Sequence, residues 1–361
     1  MATRTSERAR RTSATAGSPF DAEDPQTLRE YFRRMVLIRR FEERAAQGYT
    51  QAKIGGYCHL NLGEEAMVVG LMAALRPTDY LFANYREHGY AIAKGIAPGR
   101  VMAELYGRTT GTSKGWGGSM HMFDRETRML GGYGVVGGQV PLATGAALAI
   151  DYRGGDEVVM CQMGDGTTNI GAFHESLNIA ALWNLPIVFV VINNGLGMGT
   201  TVERSSAEPE LHKRASAYRM RGERVDGDDL EAVLTLTGEL LDRARDEREP
   251  AVLEAVTYRY RGHSVADAGW SYRSKDEVQA HREHDPIERA AKWLELSEDE
   301  VDELREQAKE RVRDAVKFAD ASDEPDVESL GEHVYGDPDT AEQFARMSVG
   351  APFGEAELLH S

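Results

Sequence analysis

An aspartate framed by glycines (Gly164-Asp165-Gly166-Thr167-Thr168-Asn169) and a paired asparagine (Asn193-Asn194-Gly195) place Asp165 and Asn194 29 residues apart. A carboxylate and an amide oxygen are hard donors of the kind Mg2+ takes. That ion is commonly shared between one or two protein carboxylates and the phosphates of a ligand. The main-chain carbonyl of Leu196, just beyond, offers a third oxygen. The glycines beside Asp165 leave room for a diphosphate near the backbone. Alone, GDG is an ordinary turn and NNG an ordinary hairpin signal. At this separation, with a helix and an apolar strand between them, they form a specific signal.

Two apolar, β-branched runs lead into these motifs, 157–163 (EVVMCQM) and 187–192 (IVFVVI), and 173–185 between them reads as a helix. Strand, loop, helix, strand predicts a parallel pair with a right-handed crossover. Both motifs then fall at carboxyl ends of neighbouring strands, where open α/β sheets bind ligands. A short strand at 79–84 delivers Tyr85-Arg86-Glu87-His88, and arginine offers a rigid fork of donors suited to phosphate oxygens. His59 lies in a loop at 51–62. A helix capped by Thr27 is expected to run to about residue 47, and an apolar helix spans 63–75. Residues 107–118 and 131–138 are glycine-rich. The second stretch lacks both the spacing and the preceding strand of a dinucleotide fingerprint, which argues against a nicotinamide-dependent oxidoreductase. Residues 217–225 return to the sheet, Asp226–Asp229 cap a helix at 230–245, and 250–257 is a buried-type strand. The loop 258–273 is polar and aromatic. Helices follow to about residue 321, with starts at Asp285-Pro286 and at the capping box of Ser297.

The chain has 361 residues, 41 % of them hydrophobic, enough for a sizeable core. Its formal net charge of −17 argues against a nucleic-acid partner and an anionic membrane surface. Local amides and a metal can still hold an anion. The two cysteines, Cys58 and Cys161, sit far apart in apolar contexts and read as reduced, buried thiols. No run is long enough to span a membrane. The first residues are polar, without a secretory core, and read as a disordered tail rather than a transit peptide. A cytoplasmic location is expected, with the mitochondrial matrix as the alternative. The expected organisation is a tail over 1–24, an α/β domain over 25–275 with a doubly wound, mainly parallel sheet, a helical extension over 276–335, and a tail over 336–361.

These motifs resemble the thiamine-diphosphate enzyme superfamily, and more closely the alpha subunit of the first component of 2-oxoacid dehydrogenase complexes. The resemblance covers about residues 25–335. It rests also on GYCHLNLGEEA (56–66), NYREHG (84–89), GGSMHM (117–122), GVVGGQVPLATG (134–145), NNGLGMGT (193–200) and YRGHSVAD (260–267). It implies Mg2+ held by Asp165, Asn194 and the Leu196 carbonyl. Tyr85 and Arg86 would contact the diphosphate of thiamine diphosphate, Gly134 and Val136 would approach the cofactor, and Gly166 and Thr167 would line its phosphates. Thr167 stands where alanine or glycine is common. His263 matches a histidine of a mobile loop that meets the active centre and the cofactor, and His59 one near the substrate channel. Ser264 and Ser271 match serines phosphorylated in mitochondrial relatives, which does not establish a kinase for this chain. The glutamate that activates the cofactor's aminopyrimidine belongs, in this family, to a separate beta subunit. The resemblance therefore implies half of an α2β2 heterotetramer, acting on a small 2-oxoacid and acylating the lipoyl domain of a dihydrolipoyl acyltransferase. GYCHL and YREHG look most like the pyruvate-using members, with branched-chain 2-oxoacids and acetoin as alternatives. A scaffold subunit would have lost Asp165, Asn194, Arg86 and His263, all present here.

Overall fold

The computed structural model describes residues 25–331. Six strands, β1 (Tyr80–Asn84), β2 (Met129–Tyr133), β3 (Val159–Gly164), β4 (Ile187–Asn193), β7 (Arg221–Asp226) and β8 (Ala251–Val256), form one parallel sheet. Their order is β2-β1-β3-β4-β8-β7. A small antiparallel hairpin, β5 (Leu196–Gly197) and β6 (Thr200–Thr201), stands apart. The helices are α1 (Pro25–Thr50), α2 (Glu65–Ala74), α3 (His88–Lys94), α4 (Pro98–Leu105), α5 (Gln139–Arg153), α6 (Gly171–Trp183), α7 (Val202–Ser205), α8 (Leu230–Asp246), α9 (Lys275–Arg282), α10 (Pro286–Trp293) and α11 (Glu298–Asp320).

The central strands are apolar on both faces because both are covered. Along β4, Ile187, Phe189 and Val191 belong to one core and Val188, Val190 and Ile192 to the other. This is the period-two alternation of a strand between two helical layers. α5 and α6 pack together over one face; α1, α2 and α8 cover the other, and α11 lies on α4 and α1. α2 is apolar nearly all round, and Glu65 to Met72 are all buried, as expected of a central helix. The crossover between β3 and β4 is α6, and the pair is parallel, as its sequence predicts. Asp229 caps α8, Asp285 caps α10, and Ser297 with Glu300 forms the capping box of α11.

Three local expectations are corrected. Thr27 lies inside α1, which already includes Pro25, so it does not cap that helix. The return to the sheet begins only at Arg221, because 211–218 form a 3-10 turn first. β7 is a charged, half-exposed edge strand, which an apolar-run criterion reads poorly. The strand β2 (MLGGY) escapes sequence reading altogether. Its glycines are forced: a Cβ on Gly132 would lie 1.9 Å from the Glu87 carboxylate, and one on Gly131, at φ +100°, 2.2 Å from the Phe123 ring.

The C-terminal helices are tied to the core through charge. Arg39 of α1 donates to Glu65 at 2.5 and 2.8 Å and to Asp285 at 2.9 Å. Tyr260 donates its hydroxyl to the same aspartate at 3.1 Å. Residues up to Asp323 form one compact unit; 324–331, outside it, carry a 3-10 turn at Val327–Gly331. The expected tails, 1–24 and 336–361, lie outside the described residues. Among the described residues, no helix is long and apolar enough to cross a membrane. Removing the Arg39 guanidinium leaves two carboxylates facing each other in the interior. Arg39→Met is therefore expected to cost about 3–5 kcal/mol. This would appear as a lower urea midpoint at unchanged slope. A loss below about 1 kcal/mol, the scale of a surface pair, would refute the assignment.

Candidate active site

The strand order reverses between β1 and β3. From β1 the chain proceeds outward to β2, and from β3 it proceeds the other way to β4, so their carboxyl ends open a crevice. Here lies a cavity of about 690 Å3. Its wall is built by the segments leaving five strands: Tyr85 and Arg86 after β1, Gly134 and Val136 after β2, Asp165, Gly166 and Thr167 after β3, Asn194 and Leu196 after β4, and His263 after β8. His59, from the loop before α2, completes the set. Every site residue read from the sequence thus lines one cavity.

One end of the wall carries oxygen donors with unmet capacity. Asp165 opens a 3-10 turn at Asp165–Asn169 and is buried. Burial raises its carboxyl above the ordinary value, and the main-chain N–H groups of Asp165 and Gly166, with Arg259, only partly oppose this. Asn194 donates its amide to Glu64 at 3.3 Å, while its Oδ1 is buried without a partner. The Leu196 carbonyl accepts from Arg259 Nη1 at 3.0 Å and keeps a second lone pair. A Cβ added at Gly164 or Gly166 would meet nothing within 4 Å, so the backbone faces open space there. Among the described residues, no group of three or more His, Cys, Asp or Glu could hold a metal alone. A cation here needs amide and carbonyl oxygens and oxygens from a ligand.

Two buried guanidinium groups supply the positive side. Arg86 donates to the carbonyls of Leu60 at 2.7 Å and His263 at 2.9 Å, and its nearest carboxylate oxygen, on Glu64, is 4.0 Å away. Arg259 donates to the carbonyls of Leu196 at 3.0 Å and Met198 at 2.5 Å, and its Nε is buried without a partner. Burial, then Arg86, lowers its pKa. Neighbouring main-chain carbonyls do not neutralise these charges, so this side of the cavity favours an anion. Sequence reading missed Arg259 and Glu64, although both stand within stretches it singled out: the polar loop at 258–273 and GYCHLNLGEEA.

The remaining wall is aromatic and uncharged. The His59 ring lies 4.5 Å from Tyr85 and 4.9 Å from His263, centroid to centroid. Burial, then the Arg86 charge, holds His59 down to about 2 and His263 down to about 4. Both are neutral at pH 7, with their Nδ1 atoms buried and unpartnered. A neutral imidazole can accept or relay a proton without competing with the arginines for an anion. The His263 loop is pinned by Asp267, which accepts from the His263 main chain at 2.7 Å, from Gly269 at 2.8 Å and from the Tyr272 hydroxyl at 2.5 Å. On that loop Ser264 is buried and Ser271 exposed.

A doubly wound parallel sheet whose switch point carries unmet oxygen donors beside buried arginines defines an α/β protein with a cavity suited to an anionic ligand. The chain matches the family model described as dehydrogenase E1 component over residues 33–328 and belongs to that family, which is thiamine-diphosphate dependent. Its alpha subunits are parts of 2-oxoacid dehydrogenase complexes. The chain is 47 % identical to the pyruvate dehydrogenase E1 component subunit alpha of Rhizobium meliloti (strain 1021), over 83 % of this chain and 87 % of that protein. It is 44 % identical to the Zymomonas mobilis protein of the same name, over 85 % and 88 %. To the somatic mitochondrial form of Homo sapiens it is 43 % identical, over 85 % and 79 %.

The neutral histidines set a pH dependence. Their folded pKa values lie below the ordinary 6.5, so between pH 6.5 and 4 the unfolded chain binds more protons. Their contribution to stability is complete above pH 6.5 and falls as pH drops. His263→Gln is expected to flatten the stability–pH curve between pH 6.5 and 4, measured by urea denaturation. An unchanged slope would show that His263 titrates normally.

Proposed function

We propose that this chain is the alpha half of a thiamine-diphosphate-dependent pyruvate dehydrogenase component. It decarboxylates pyruvate and reductively acetylates the lipoyl groups of a dihydrolipoyl acyltransferase, feeding acetyl-CoA formation. The observation that carries this reading is the buried, unpartnered Oδ1 of Asn194 in the same cavity as the under-compensated Asp165 carboxylate. Asp165, Asn194 and the Leu196 carbonyl would hold Mg2+. Tyr85 and Arg86 would take the diphosphate, with Gly166 and Thr167 at its phosphates and Gly134 and Val136 against the cofactor. When bound, the cofactor supplies a thiazolium carbon nucleophile and an electron sink for loss of CO2. His263 positions or protonates the reacting group, and His59 lies where the substrate enters. Both rings are uncharged at pH 7, so each can offer one N–H donor and one nitrogen acceptor to a bound group.

A beta subunit, in an α2β2 assembly, completes the site by supplying the group that activates the aminopyrimidine. Support comes from the exposed apolar rim beside the cavity, where Tyr57, Val135, Val136 and Met198 are 64, 75, 51 and 65 % exposed. Leu142, Leu148 and Tyr152 of α5 are exposed as well. Exposed large apolar side chains beside a site are a feature of docking faces.

Calorimetry of the chain co-expressed with its beta partner tests the site. Asp165→Ala is expected to weaken thiamine diphosphate binding in Mg2+ by more than the roughly 10–100-fold typical of outer-shell changes. Full retention of binding would remove the metal assignment. Turnover with an artificial electron acceptor should favour pyruvate over branched 2-oxoacids, and the reverse preference would overturn the substrate.

A further inference from the structure

Glu254 is a fully buried carboxylate of β8 that the chemistry above does not use. It stands opposite Val191 of β4 and Arg224 of β7. Its Oε1 accepts from the Asn193 side-chain amide at 2.7 Å. Its Oε2 accepts from the His212 main-chain N–H at 3.0 Å and lies 2.8 Å from His212 Nδ1. Arg224 Nε is 4.0 Å away. Asn193, the last residue of β4, in turn accepts the Gly195 N–H on its Oδ1 at 3.0 Å. That contact closes a turn of the Asx type, with Gly195 at φ +77°. The turn carries Asn194 and leads directly to Leu196.

We infer that Glu254 is a positioning residue that, through Asn193, fixes the turn presenting the Asn194 and Leu196 oxygens to the cation. The inference rests on the metal assignment proposed above. Its logic is donor–acceptor parity. The His212 main-chain N–H can only donate, so one Glu254 oxygen must face it. The other oxygen then draws the Asn193 amide nitrogen, which leaves Asn193 Oδ1 aimed at Gly195. Glutamine at 254 would keep its oxygen on His212 and turn its amide nitrogen toward Asn193. The Asn193 amide would flip, its nitrogen would face the Gly195 N–H, and the turn would lose its contact. Aspartate at 193 accepts from both sides, so the pair Glu254→Gln with Asn193→Asp restores complementarity with the acidic group moved from 254 to its hydrogen-bond partner at 193.

The test uses the full chain co-purified with its partner, with Mn2+ as the probe, followed by electron paramagnetic resonance in the presence of thiamine diphosphate. Glu254→Gln should raise the Mn2+ dissociation constant about 10–100-fold, as disturbed outer-shell partners do. Asn193→Asp alone, carboxylate against carboxylate, should also weaken binding. The double variant should recover most of the loss, a recovery that a purely structural role would not produce. Should Glu254→Gln alone fail to fold, the double variant must still bind Mn2+ more tightly than Asn193→Asp. Glu254→Gln binding within about twofold of the unaltered chain, or a double variant no better than Asn193→Asp, overturns the inference while leaving the metal assignment standing. Tighter binding by Asn193→Asp alone would reassign the effect to added charge and also overturns it. Absence of cofactor-dependent Mn2+ binding in the unaltered complex overturns the metal assignment and this inference with it.

Discussion

Asp165 is buried in the cavity wall, and its carboxylate has main-chain N–H groups and an arginine for company rather than an ion-paired cation. Burying a charge in this way is costly unless it is matched. The neighbouring donors and acceptors carry related imbalances: Asn194 has a buried oxygen to spare and Arg259 a buried Nε. Each imbalance alone would be a defect. Gathered in one cavity, with opposite signs on adjacent walls, they are the groups that the proposed cation and anionic cofactor would satisfy. The sheet below exists to keep those groups from relaxing onto each other.

That rigidity has an identifiable source. β3 and β4 are buried on both faces, so a slip of one residue would move every side chain into the opposite core and disrupt the packing of both. Their ends are therefore fixed, and the motif loops start from fixed points. The loops are then held by buried polar groups rather than by apolar contact. Glu104 of α4 accepts the N–H groups of Ser113, Gly115, Gly117 and Gly118. This shapes the glycine-rich segment that leads to the cavity-lining Met120 and His121. Glu42 and Ser119 hold His88, and Asn61 links Glu42 to Glu64 and so to Asn194.

What could be read from the chain follows the same division. The βαβ unit around Asp165 and Asn194 was legible because period and burial act locally, and a fully buried strand announces itself. The convergence of those two residues was legible through topology. β2 was not, because its glycines answer to Glu87 and Phe123, residues distant in sequence whose positions only the fold reveals. Arg259 was not, because its partners lie 61 to 63 residues earlier, on the hairpin beyond Asn194. β7 was placed too early because an edge strand has only one buried neighbour and carries charge. Thr27 was misplaced because a cap-forming residue inside the first turns of a helix looks the same as one at its start.

The buried acids of this fold also separate by what relieves them, and the separation points to the same place. Asp79 is matched by Arg245 at 2.9 and 2.8 Å, Glu65 by Arg39, Glu104 by four main-chain donors, and Glu254 by His212 and Asn193. Glu87 accepts from Met122 at 2.8 Å but has a second oxygen without a partner, and burial raises its pKa well above the ordinary value. Burial therefore favours its neutral form over its charged one, which suits a site sealed within the core. Asp165 shares the raised pKa but not the seal, since it borders a cavity that a solute can enter. A proton is one way to discharge it; a divalent cation arriving with an anionic ligand is another, and only the second also satisfies Asn194 and the two arginines. One proposed partner that would meet Asp165, Asn194 and the two arginines together is a stronger physical reading than four independent defects.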